Sequence, residues 1–179
     1  MDNQQGQKTG LLQILRRIFI SVSMLWIGFL IIGIVTAVVT WIITGDGKDP
    51  ILKGVPTNQI SQLRNILIGL GVIEILIGAW VKNRFLQSAQ KVETTEKDKI
   101  FSLIAKLYAQ AHLVPASMAL SVSFYALILG LVGADKNSVT ILLIISFFGL
   151  WLFQPRMKQL KALIAQIIGP GGQSYLDGS

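Results

Sequence analysis

The chain has 179 residues, 52% of them hydrophobic and only 14% charged, with a formal net charge of +7 and a mean hydropathy of +0.61. A soluble domain carries about 25% charged residues, so the deficit fits a chain whose largest apolar surface faces lipid. With no cysteine and one histidine, His112, the sequence excludes disulfides, thiolate metal sites and a histidine metal cluster, and neither metal nor cofactor is expected.

Residues 1–10 are polar and are expected to be mobile. Leu11–Arg17 begins a helix at an interface, with Arg16 and Arg17 toward headgroups. The first apolar segment follows, Ile18–Ile43. Its 26 residues exceed the 7–15 of a signal-peptide core, and no small-residue cleavage site follows. It reads as a retained span. Gly45-Asp46-Gly47 breaks it, and the loop 45–62, with Pro50, Gly54 and Pro56, is expected to be irregular.

The second apolar segment is Ile66–Val81. At 1.5 Å per residue its sixteen residues cover roughly 24 Å, less than a hydrocarbon core of about 30 Å. Arg64 and Lys82 are expected to snorkel and close the gap. Residues 83–111 are charged and then amphipathic: Ile100, Ile104, Leu107 and Tyr108 recur at helical spacing. That spacing predicts a helix over 97–111, lying on the membrane or feeding into a third span, His112–Val132. Pro115 allows a kink near its entrance. A short connection at 134–138 leads to a fourth span, Val139–Phe153, ended by Pro155. Arg156–Ile168 has the pattern of a second amphipathic helix, closed by Gly169-Pro170-Gly171-Gly172, and 173–179 are expected to be disordered.

The fold expected is therefore all-α: a polytopic membrane protein with four transmembrane helices arranged as two hairpins, plus amphipathic cytoplasmic helices. A short N-terminus, 1–17, precedes a transmembrane domain, 18–155, and an amphipathic tail, 156–179. The words Ser21-Val22-Ser23-Met24 and Ser121-Val122-Ser123-Phe124 hint at an internal repeat of the two hairpins. Twelve Lys and Arg flank one side of the spans: Lys8, Arg16, Arg17, six between Lys82 and Lys106, and Arg156, Lys158 and Lys161. Four lie on the other side: Lys48, Lys53, Arg64 and Lys136. By the positive-inside rule both termini are expected in the cytoplasm, in a bacterial inner membrane. This distribution also accounts for the net charge without nucleic acid as a partner; the bilayer is the expected partner, with a homo-oligomer or larger complex possible.

Glu74, in the second span, is the only acid inside any of the four apolar segments. Charged at mid-depth, it would cost about 2.5–3.5 kcal/mol. It is expected to face the bundle interior, against span 1 or span 3, and to be neutral or paired. Gly71 and Gly78 share its face and give a neighbouring helix room to approach. Thr36 on span 1 and Ser121 and Tyr125 on span 3 are hydroxyls able to line the same interior. The candidate site is thus Glu74, Gly71, Gly78, Thr36, Ser121 and Tyr125, either a proton or cation site or a packing contact. His112 reads as a residue tolerated at the interface, and Trp41, Trp80 and Trp151 as an aromatic belt. There is no P-loop, HExxH or GxSxG, and the segments outside the spans are too short for a catalytic domain, so the chain does not read as an enzyme.

Tyr108-Ala109-Gln110-Ala111-His112-Leu113-Val114 and Leu152-Phe153-Gln154-Pro155-Arg156 resemble the third-span entrance and fourth-span ending of small four-span bacterial inner-membrane proteins, a resemblance that implies cytoplasmic ends but no particular activity. Gly69-Leu70-Gly71-Val72-Ile73-Glu74 resembles the second helix of proteolipid, or c-type, subunits of rotary ATPases. That resemblance implies a proton- or cation-carrying role for Glu74. The second half of the chain departs from it, with Ile145 where an acid would stand. The function expected is a non-enzymatic accessory, assembly or scaffold subunit of a membrane complex; the alternative is a proton- or cation-translocating bundle centred on Glu74.

Overall fold

The computed structural model describes residues 2–45, 51–52, 55–88 and 97–168. All five elements among them are helices: α1 (Asp2–Ile43), α2 (Thr57–Ser88), α3 (Lys97–Leu131), α4 (Lys136–Leu152) and α5 (Met157–Ile168). Three, α1 to α3, are long and apolar enough to cross a bilayer; α4 and α5, bent by 43° at the break between them, make a fourth if taken as one span. The expected mobile N-terminus is instead the start of α1. The closing segment 169–172, the tail 173–179 and, within the expected loop 45–62, residues 46–50 and 53–54 lie outside the described residues; 57–62 of that loop are instead the first turns of α2.

α3 is the centre of the bundle. Half of its most apolar stretch is buried, against 22% for α2 and 11% for α1. The reason is in its residues: Ala111, Ala116, Ala119, Val122 and Ala126 are small, fully buried, and let three other helices close around it. α1 and α2 each pack on α3, and more lightly on α4, while contact between α1 and α2 is marginal. Among consecutive helices, α2–α3 and α3–α4 are the pairs that pack extensively. The expectation of two hairpins therefore fails for the first pair: its facing surfaces are spent on α3.

Close approach is bought by glycine. A Cβ on Gly71 would stand 3.0 Å from Val122 Cγ1, and one on Gly78 would stand 2.9 Å from the ring of Phe153. At Gly149 it would fall 2.2 Å from Ile75 Cδ1 and 2.8 Å from Ala119 Cβ. On the other flank, the side chains of Thr40 in α1 and Thr44 just after it close over Gly130, where a Cβ would stand 3.0 Å from Thr44 Cγ2.

The α3–α4 turn is chemically specified. Gly133 has φ 84°, and the bonds Ala134 N–H to Leu129 O (2.9 Å) and Gly133 N–H to Gly130 O (3.2 Å) close α3 in the Schellman pattern. Asp135 then caps α4, accepting from the Ser138 amide (2.9 Å) and hydroxyl (2.6 Å). Arg64 of α2 lies 3.8 Å from the same carboxylate, and Leu52 N–H bonds Leu131 O. One end of the bundle thus gathers the α3–α4 turn and the start of α2.

The opposite end is also built from side chains. Leu15 and Val22 of α1, Ile104 and Tyr108 of α3, and Leu160, Leu163 and Ile164 of α5 form one buried cluster. The helix expected over 97–111 exists and runs unbroken through Pro115. Ile104 and Tyr108 on its apolar face, like Leu160, Leu163 and Ile164 of α5, are covered by protein. Amphipathic spacing specifies an apolar stripe but not what covers it.

Two outcomes follow. Gly149→Ala should destabilise the bundle by about 1–3 kcal/mol, the usual cost of overpacking, and Ile75→Val, which removes Cδ1, should recover part of it; thermal unfolding in detergent measures both. Bonds from the Ser138 hydroxyl and amide hold the Asp135 carboxyl below its ordinary range. The cap's contribution is therefore complete above the unfolded value of about 3.9 and disappears as pH falls through the lower folded value. Asp135→Asn should leave a cap whose strength does not change over that window, read as melting temperature against pH.

Candidate functional site

Glu74 lies on α2 where the groove against α3 is lined by small side chains. Its carboxyl meets two hydroxyls of α3, one on each oxygen. Tyr125 donates to Oε1 at 2.5 Å, and the Ser121 hydroxyl contacts Oε2. Ser121 and Tyr125 are four residues apart and so share one face of α3. Ser121 also donates to the carbonyl of Met118 (2.6 Å). All three side chains are half-buried, at the flank of the α2–α3 contact. Glu74 faces span 3, one of the two neighbours expected.

The other candidate residues divide. Gly71 and Gly78 are buried on the same face of α2 and admit Val122, and Phe153 with Pro115, respectively. Thr36 does not join the site. Its hydroxyl bonds back to Ile32 O (2.9 Å), as Thr40 does to Thr36 O (2.7 Å) and Thr44 to Thr40 O (2.9 Å). A β-branched hydroxyl in a helix reaches its own preceding turn more easily than another helix. Ser146, by contrast, crosses from α4 to Ala119 O of α3 at 2.8 Å.

A second polar constellation was not anticipated. It surrounds the end of α4, where Pro155 supplies no amide hydrogen and the backbone turns into α5. Four carbonyls there accept hydrogen bonds from side chains of α1, α2 and α3. Trp26 Nε1 of α1 donates to Leu150 O (3.0 Å), and Lys82 Nζ of α2 to Leu152 O (3.2 Å). From α3, His112 Nδ1 pairs with Phe153 O (2.9 Å), and the Tyr108 hydroxyl donates to Arg156 O (3.2 Å). A carbonyl can only accept, so the His112 proton sits on Nδ1; Nε2 is buried with no protein partner. Tyr108 and His112 rings contact each other, with centroids 4.6 Å apart.

This collar corrects two expectations. His112 is fully buried rather than tolerated at an interface, and Lys82 is 9% exposed rather than extended toward headgroups. The sequence signal was present but indirect: Pro155 frees carbonyls that must be satisfied, and Lys82, Tyr108 and His112 are the donors nearest that depth. Trp41, Trp80 and Trp151 are exposed, as a belt requires, with Arg84 stacked 5.6 Å over Trp80.

No family model, curated protein or solved structure matches the chain.

Removing a collar donor strands a buried carbonyl. Lys82→Met and His112→Phe should each cost about 1–3 kcal/mol, whereas His112→Gln, which still carries an amide N–H, should lose less. Unfolding in a detergent series compares the three.

Proposed function

We propose that this chain is a small, non-enzymatic integral membrane protein that serves as an accessory or assembly subunit of a membrane complex or homo-oligomer, with both termini in the cytoplasm. The observation that carries the reading is how the polar groups among the helices are used. Trp26, Lys82, Tyr108, His112 and Ser146 each bond a backbone carbonyl of another segment, so these costly groups fix helix geometry. The twelve basic residues against four support the orientation. The half-buried flank at Glu74 supports association, because a partner surface there would complete the carboxyl's exclusion from lipid.

A second reading is favoured by one feature. Glu74, Ser121 and Tyr125 gather a carboxyl and two hydroxyls at mid-helix depth, a set able to carry a proton or cation across.

Native electrophoresis and mass measurement in mild detergent, with proteoliposome flux measured in parallel, separate the two. The first reading expects a multimer or stable complex, unchanged in Glu74→Gln, and no flux. A solitary monomer whose proton or alkali-cation flux is abolished in Glu74→Gln would replace it with the second. Reporter fusions at Ser179 and within 48–56 test the orientation; a C-terminal fusion active only outside the cytoplasm would reverse it.

A further inference from the structure

The hydrogen atoms available at Glu74 do not cover its contacts if the carboxyl is ionised. Ser121 has one hydroxyl hydrogen and two neighbours that need it, Met118 O and Glu74 Oε2. The Met118 carbonyl can only accept, and so can an ionised carboxylate. Tyr125 has one hydrogen, directed at Oε1. One further hydrogen completes the set: with it on Oε2, the carboxyl donates to Ser121, Ser121 donates to Met118 O, and Tyr125 donates to Oε1. Each contact then has one donor and one acceptor, and the three bonds run in one direction.

We propose that Glu74, Ser121, Tyr125 and the Met118 carbonyl form a binding site for a single proton, resident on Oε2, and that this closed arrangement excludes a metal cation. The proposal rests on the second reading of Glu74 only in naming what that site would carry.

The spacing of the closed arrangement leaves no room for a metal. The Tyr125–Glu74 and Ser121–Met118 contacts are 2.5 and 2.6 Å. Even a small hard cation, with octahedral ligands at 2.0–2.1 Å, keeps neighbouring oxygens about 2.9 Å apart. Oxygens drawn closer than that have a hydrogen between them. Binding a metal would require the α3 hydroxyls to part from the carboxyl and Ser121 to give up Met118.

The surroundings contribute no competing charge. α3 and α4 are the helices packed against α2. Between His112 and Leu131, α3 offers Tyr125 as its one titratable side chain, and α4 offers none after Lys136. The cations of α2, Arg64, Lys82 and Arg84, are ten, eight and ten residues away along the helix, and they engage Asp135, the Leu152 carbonyl and the Trp80 ring. Glu74, Ser121 and Tyr125 are half-buried at the flank between α2 and α3.

Infrared spectroscopy of the full chain tests this, with isotope-labelled glutamate in an ester-free detergent. The expected result at neutral pH is one labelled band of a protonated carboxyl, lost in Glu74→Gln and retained when Glu93 and Glu96 are replaced by Gln. Tyr125→Phe should move it to higher frequency, because the carbonyl oxygen Oε1 loses its donor; Ser121→Ala should move it less. Replacing choline by sodium should leave it unchanged. Absence of the band from the folded wild-type protein would overturn the assignment, and loss of the band on adding sodium would overturn the exclusion of metal. The wild-type spectrum decides both even where a variant fails to fold. An intact band in a protein that moves no protons would defeat translocation alone.

Discussion

The arrangement depends on backbone carbonyls at the end of α4. A helix end leaves carbonyls without amide partners, and Pro155 removes one more donor. In surroundings poor in water, such groups must be met by protein. Here the donors come from all three preceding helices: Trp26, Lys82, and the pair Tyr108 and His112. The break therefore serves as a common fixing point. It sets the axial register of α1, α2 and α3 against α4, with the apolar layers above and below following from that register. Gly78 adds to the constraint, since its missing side chain is what admits the Phe153 ring beside the same break.

The Glu74 cluster obeys the same requirement by other means. A carboxyl among apolar helices needs hydrogen-bond partners more than it needs space, and α3 provides one for each oxygen. Because Ser121 and Tyr125 share a helical face, the pair also fixes the rotation of α3 relative to α2. Gly71, one turn from Glu74, brings the backbones close enough for these short side chains to meet. The same polar cluster thus contributes to the packing of α2 on α3 and holds the chemistry available to it.

Much of this was legible in the sequence because hydropathy and period report which residues avoid water. The helical segments, the short connection between α3 and α4, the inward facing of Glu74 toward span 1 or span 3, and the roles of Gly71 and Gly78 all follow from that kind of signal. What was not legible depends on which surface meets which. Spacing gave α5 and the start of α3 an apolar stripe, but whether lipid or Leu15 covers it is a tertiary fact. Thr36 looked like a lining residue because its face was right; its hydroxyl had a closer acceptor in its own helix. His112 and Lys82 read as boundary residues because their depth was right, while their partners lie 41 and 70 residues further along the chain.

The marginal contact between α1 and α2 has a consequence for how the molecule comes into being. A chain made from its N-terminus presents these two helices before the surface they share has been synthesised. They have little to hold each other, so the first half of the protein has no interior of its own. Trp26 and Lys82 wait for carbonyls 124 and 70 residues downstream, respectively. Tertiary structure therefore arrives late and nearly at once, with the emergence of α3 and α4, and any factor that holds unpaired helices during synthesis would act on this chain in that interval.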